Sequence, residues 1–160
     1  MAVDMFIKIG SLKGESRDST HKEEIDVLAW SWGMSNAGSG HVGGGSGAGK
    51  VNVHDLSLTK YVDKSSPDLM LNCAKGKHFD TAKLTVRKAG DKPLEYLVIT
   101  MSEVYITSVS GGGSGGEDRL TENVTLNFSK VTVDYKEQTA SGGSGASPTM
   151  TWDIAANTSA

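Results

Sequence analysis

The chain has 160 residues, 37% hydrophobic and 22% charged, with a formal net charge of -3 at pH 7, which fits a folded globular protein and excludes wholesale disorder. The mildly acidic balance lacks the basic footprint that nucleic acid binding needs. Cys73 alone can build neither an internal disulfide nor a multi-cysteine zinc site, and no apolar run reaches the roughly 18 residues of a membrane span.

Val3, Met5, Ile7 and Ile9 alternate with Asp4, Phe6 and Lys8, a half-buried strand. The polar stretch 10–24 reads as an exposed loop, in which Thr20 and Glu23 have capping-box spacing but room for only a very short helix. A second strand starts at Ile25. Leu28, Trp30, Trp32 and Met34 form its large face, and Val27, Ala29, Ser31 and Gly33 its small one. Residues 35–50 read SNAGSGHVGGGSGAGK, a glycine-rich connection of a length uncommon in compact domains.

A third strand is predicted from Val51 to Val62, with Leu56, Leu58 and Val62 in phase. Ser65-Ser66-Pro67-Asp68 starts the one strong helix: a serine cap, a pre-set first turn and an acid at the positive dipole end. Its apolar face is Leu69, Met70, Cys73 and Ala74, and Gly76 ends it. Strands resume over 77–88 and from Leu94. Leu97, Ile99 and Met101 share one phase, Val104 and Ile106 the other; Val124, Leu126, Phe128 and then Val131, Val133, Tyr135 repeat the slip. Such slips mark a bulge or a strand passing between packed layers. They favour a curled barrel or a two-sheet sandwich. After a Gly/Ser linker at 137–148, Met150, Trp152 and Ile154 make a short last strand. Trp30, Trp32 and Cys73 are read as packing residues.

Catalytic motifs fail on inspection. Gly44–Lys50 approaches the phosphate-binding loop, but Val51 stands where the Ser or Thr magnesium ligand belongs, and a strand pattern rather than a helix follows. Gly112-Gly113-Ser114-Gly115-Gly116 spells a nucleophile elbow but leads into Glu117-Asp118-Arg119 and a strand, not a helix. His21, His41, His54 and His78 are scattered, so no metal or cofactor is expected. Glu23-Glu24 and Glu117-Asp118 are adjacent, which on a strand points them apart. Glu117, Asp118 and Arg119 either pair across an interface or hold a turn.

Several segments together carry a family resemblance: MAVDMFIKIG (1–10), HKEEIDVLAWSWG (21–33), GGGSGAGKVNV (43–53), KYVDKSSPDLM (60–70), AKLTVRKAG (82–90), GGEDRLTENVTLNF (115–128) and SGGSGASPTMTWDI (141–154). In order and over nearly the whole length, the chain resembles the haemolysin-coregulated protein (Hcp) family, the tube proteins of bacterial type VI secretion. The resemblance implies one mainly β domain over 1–160, a two-sheet flattened β-barrel or sandwich with one flanking α-helix. It implies a homohexameric ring and ring-on-ring stacking into a hollow tube inside a contractile sheath. A VgrG-type spike and small effector proteins in the lumen are the implied partners. It also implies a structural protein rather than an enzyme, exported from the bacterial cytoplasm without a cleaved signal peptide.

Physical argument adds candidate surfaces. A ring needs two different patches that meet head to tail. The loop residues Asn36, His41, Gly43, Gly44, Gly45 and Lys50 are expected at a subunit or ring interface, because glycine lets backbones approach closely. Ala29, Ser31 and Gly33 are candidates for the lumen; the competing expectation is that this small face packs beneath the helix. The rival function is a free-standing, lectin-like β-sandwich binding module with Trp30 or Trp152 exposed.

Overall fold

The computed structural model of the protein describes residues 3–38, 50–90, 92–140 and 145–159. In chain order its elements are β1 (Val3–Ile9), β2 (Ile25–Asp26), β3 (Ala29–Ser31), β4 (Met34–Asn36), β5 (Val51–Val53), β6 (Leu56–Tyr61), α1 (Ser66–Lys75), β7 (His78–Lys88), β8 (Leu94–Gly112), β9 (Thr121–Asn127), β10 (Lys130–Tyr135) and β11 (Thr149–Asp153). The main sheet runs β2-β1-β7-β8-β9-β6-β3, with β10 between β8 and β11; β4 and β5 form a separate ribbon. These pairings are antiparallel.

The 19-residue β8 is the spine. One edge pairs with β7; the other pairs first with β10 and then, from Tyr105, with β9. The change falls at Glu103, which takes a left-handed φ of 52°. There the buried phase passes from Ile99 and Met101 to Val104 and Ile106. The Phe128–Ser129 corner between β9 and β10 repeats the slip beside it, tied by Ser129 N–H to the Ser102 carbonyl at 3.0 Å. Both predicted slips are therefore points where the sheet bends and keeps its apolar residues in one core.

That bend folds the sheet into a sandwich. Ile7, Leu84 and Ile99 from one half share a core with Leu58, Val124 and Leu126 from the other. The ladder does not close into a barrel. Its two ends, β2 and β3, are consecutive in the chain: Val27 N–H bonds Met5 O and Leu28 N–H bonds Thr59 O, so this stretch passes from β1 to β6.

Five local expectations need correction. The second strand divides into β2, β3 and β4, leaving Leu28 and Met34 exposed while Trp30 and Trp32 are half-buried against the core. The third breaks after Val53, and Lys60, not Val62, takes the buried position in phase with Leu56 and Leu58. At the start of α1 the Ser65 side chain makes no capping bond to the helix. Asp63 instead accepts both the N–H and the hydroxyl of Ser65. Leu69 and Cys73 pack inward, but Met70 and Ala74 face out. Gly76 ends the helix at φ 64°, as expected. Finally, 10–24 forms no helix but is no free loop: Gly14, Ser16 and His21 are buried.

Candidate functional site

The outward face of β3, β6, β9 and the second half of β8 follows from register. Leu58, Val124 and Leu126 point into the core, so their neighbours point out. Two cross-strand rows result: Ala29–Thr59–Asn123–Ser110 and Ser31–Ser57–Thr125–Ser108. Every member is small and neutral. Thr59 donates to Asn123 Oδ1 at 2.7 Å, and the Ser108 and Thr125 hydroxyls lie 2.7 Å apart. A bulge between Ile106 and Ser108 turns Thr107 outward as well. Asp55, at the rim, accepts from Thr107 Oγ1 and Asn127 Nδ2, both at 2.9 Å. The Asp55 carboxylate is thus held by neutral donors.

Two of the lumen candidates sit in these rows. Ala29 and Ser31 are exposed; Gly33, just beyond β3, is half-buried, with space for a Cβ 3.7 Å from His54 Nδ1. The small face therefore does not pack beneath α1, which lies against β8. Of the interface-loop candidates, Asn36 ends β4 opposite Val51, and its side-chain oxygen accepts the Gly38 N–H at 3.2 Å. Lys50 is exposed just before β5. His41, Gly43, Gly44 and Gly45 lie outside the described residues. Glu117, Asp118 and Arg119 are exposed in the turn before β9. Arg119 lies over the Tyr61 ring at 3.7 Å, while among the described residues Glu117 and Asp118 make no ion pair.

Two charged clusters were not anticipated. Lys60 and Glu122 are both fully buried and 2.8 Å apart. Their signal was legible: opposite charges at in-phase core positions of two apolar strands. On the outer face of β7, Arg87 holds Asp18 at 2.6 Å and Asp4 at 3.2 Å. The hydrogen bonds from Arg87 keep the Asp18 carboxyl well below the usual carboxylate range, and Asp18 in turn holds the Arg87 guanidinium above its ordinary value. Among the described residues no three His, Cys, Asp or Glu side chains stand together as a metal site, and no helix is long and apolar enough to cross a membrane.

These features define the class: a mainly β sandwich with one flanking helix and a neutral, hydroxyl-rich outer sheet face. The family model described as "Type VI secretion system effector, Hcp" matches residues 6–135. The chain is 65% identical to the protein hcp1 of Pseudomonas aeruginosa over the whole of both chains. It superposes on the structure of a type six secretion system protein with a TM-score of 0.92 and 31% identity, covering 99% of this chain and 100% of the other. Hcp1 from Salmonella typhimurium gives 0.82 and 40%, covering all of both. The chain belongs to the Hcp family of secreted type VI secretion proteins.

Proposed function

We propose that this chain is the structural subunit of a type VI secretion tube: one domain that closes into hexameric rings, which stack into a hollow tube. In this reading the tube leaves the bacterial cytoplasm inside a contractile sheath, without a cleaved signal peptide and beneath a VgrG-type spike. Small effector proteins ride in its lumen, and the chain itself catalyses nothing. The observation that carries the reading is the pair of neutral rows through Ser31 and Thr59. A channel wall for varied cargo must stay wetted without holding any one protein by charge. Serine, threonine and asparagine hydroxyls and amides do this, and they already satisfy one another.

The β4–β5 ribbon supports assembly. A two-stranded ribbon is marginal by itself in water, and this one leads directly into the glycine-rich connection. A neighbouring subunit or ring would complete it. The lectin-like reading draws less support, since Trp30 and Trp152 are half-buried against the core rather than displayed.

Analytical ultracentrifugation with negative-stain imaging tests the proposal. A species of six times the 16.8 kDa chain, seen as rings with an open centre, is the expected result. A monomer at every concentration overturns it. A charged pair inserted between Gly44 and Gly45 is expected to weaken the assembly; unchanged assembly removes the loop from the interface.

A further inference from the structure

Residues 10–24 form a strap across the outer face of the sheet. Its two limbs bond each other: Gly14 N–H to Glu23 O at 2.8 Å, Ser16 N–H to Glu24 O at 3.0 Å, and Glu23 N–H to Ser16 O at 2.9 Å. Two clasps fix it to the sheet. One is Asp18 on Arg87 of β7. The other is His21, which is 6% exposed and stacked on Phe6 of β1 with ring centroids 4.6 Å apart and planes 13° apart.

The second clasp has an unusual hydrogen-bond balance. His21 Nδ1 lies 2.8 Å from Glu24 Oε2 of the strap, and Nε2 lies 2.5 Å from Glu95 Oε1 of β8. An ionised carboxylate only accepts, and a neutral imidazole donates from one nitrogen alone. Both bonds are made only when the ring is protonated on both nitrogens. Loss of that proton turns a ring lone pair toward a carboxylate oxygen, with the ring itself only 8% exposed against 16% for Glu24 and 34% for Glu95, so one of the two bonds is lost and replaced by an unfavourable contact. The other charges around this clasp are already engaged: Arg87, over the Phe6 ring at 5.1 Å, is held by Asp18 of the strap and Asp4 of β1. Arg87 is also the cross-strand partner of Glu95, but among the described residues no lysine or arginine lies within ion-pair distance of Glu24 or Glu95, so His21 is the group in direct contact with both.

We propose that His21 is a proton-operated latch on the strap. With the ring doubly protonated, it joins Glu24 to Glu95 and holds residues 10–24 against β1, β7 and β8. Deprotonation releases one limb. Release also reaches α1, because Glu15 of the strap accepts the Lys64 N–H at 2.7 Å just before the helix.

Hydrogen exchange of the Gly14, Ser16 and Glu23 amides, expressed as protection relative to their intrinsic exchange rates, tests this in the full-length protein. Protection is expected to fall by about tenfold or more between about pH 5 and about pH 8, the interval in which histidine changes charge, while core amides such as Leu84 hold theirs. In His21→Gln the amides are expected to be less protected at pH 6 and to lose the slope. Glu95→Gln, which leaves a neutral imidazole only one carboxylate to serve, is expected to flatten the slope with the fold intact. Wild-type protection that does not change over this range overturns the latch. So does an unaltered slope in His21→Gln, or in Glu95→Gln should the first variant fail to fold.

Discussion

Lys60 Nζ sits 2.8 Å from Glu122 Oε2 with both side chains sealed from solvent, directly opposed in the β6–β9 register. Ser66, the first residue of α1, donates to the same carboxylate oxygen at 2.5 Å, and Lys60 also reaches Asp63 at 3.1 Å. The pair therefore joins the two strands to the start of the helix. Desolvation offsets much of its attraction, so its main consequence is that neither partner tolerates the loss of the other.

A double-mutant cycle in chemical denaturation measures this directly. Glu122→Leu leaves the buried Lys60 with Asp63 as its remaining carboxylate and is expected to cost about 3 kcal/mol, the lower end of the range for breaking a buried pair. Lys60→Met is expected to cost a similar amount. The double variant is expected to recover most of the loss, since well-packed apolar replacements of a buried pair are often neutral or better. Additive losses would show that the two residues act independently.

The Asp18–Arg87 clasp makes a prediction on the acid side. The folded carboxyl of Asp18 ionises well below the unfolded value of about 3.9. A lowered folded pKa adds stability that is complete above the unfolded pKa and is lost as pH falls through the folded one. Asp18→Asn is therefore expected to be less stable than the wild type by a constant amount above about pH 5. The gap is expected to narrow steadily below about pH 4. Thermal unfolding midpoints of both proteins from neutral pH to about pH 2.5 check it; parallel curves over the whole range rule the clasp out.

Most of this architecture was legible in the sequence because alternation is a strong signal where one strand face is buried. β1, β7, the slips in β8 and from β9 to β10, and the left-handed glycine after α1 all follow from side-chain type and spacing. Tertiary context set the rest. Leu28 and Met34 continue an alternating pattern, but the chain leaves β1 for β6 at Val27–Leu28 and the buried phase changes with it. The strap at 10–24 is polar, so its composition says loop; what holds it is a set of partners in β7 and β8, distant in sequence. Ser31 and Ala29 could be ranked as small, but only the register with β6 and β9 shows that they belong to continuous neutral rows.

Gly14 marks where the strap passes closest to its own return limb. A Cβ there would stand 2.4 Å from the Glu24 carbonyl oxygen and 2.7 Å from Ile25 Cα, both backbone atoms that cannot turn aside. Gly14→Ala is expected to destabilise the protein by about 1–3 kcal/mol, the range typical of overpacking. It should speed exchange at Ser16 and Glu23 before it affects the core. Urea denaturation and amide exchange check the two parts; an alanine accepted at no cost would mean that the limbs separate readily.

The neutral rows yield a test of which way the sheet faces. Ser31→Cys and Lys83→Cys, each in a Cys73→Ser background, place a thiol on exposed positions of the two opposite halves of the sandwich. Exposed substitutions of this kind usually alter stability by less than about 0.5 kcal/mol, so both variants are expected to assemble like the parent. If the Ser31 face lines a lumen, a small maleimide should label both thiols in stacked tubes. A maleimide on a large polymer should label only the thiol at 83, because the tube wall shields the other along its length. Dissociated subunits should react with both reagents at both positions, which separates shielding by assembly from shielding within the chain. Equal polymer labelling of the two positions in tubes would place Ser31 on the outside and remove the neutral rows from the lumen.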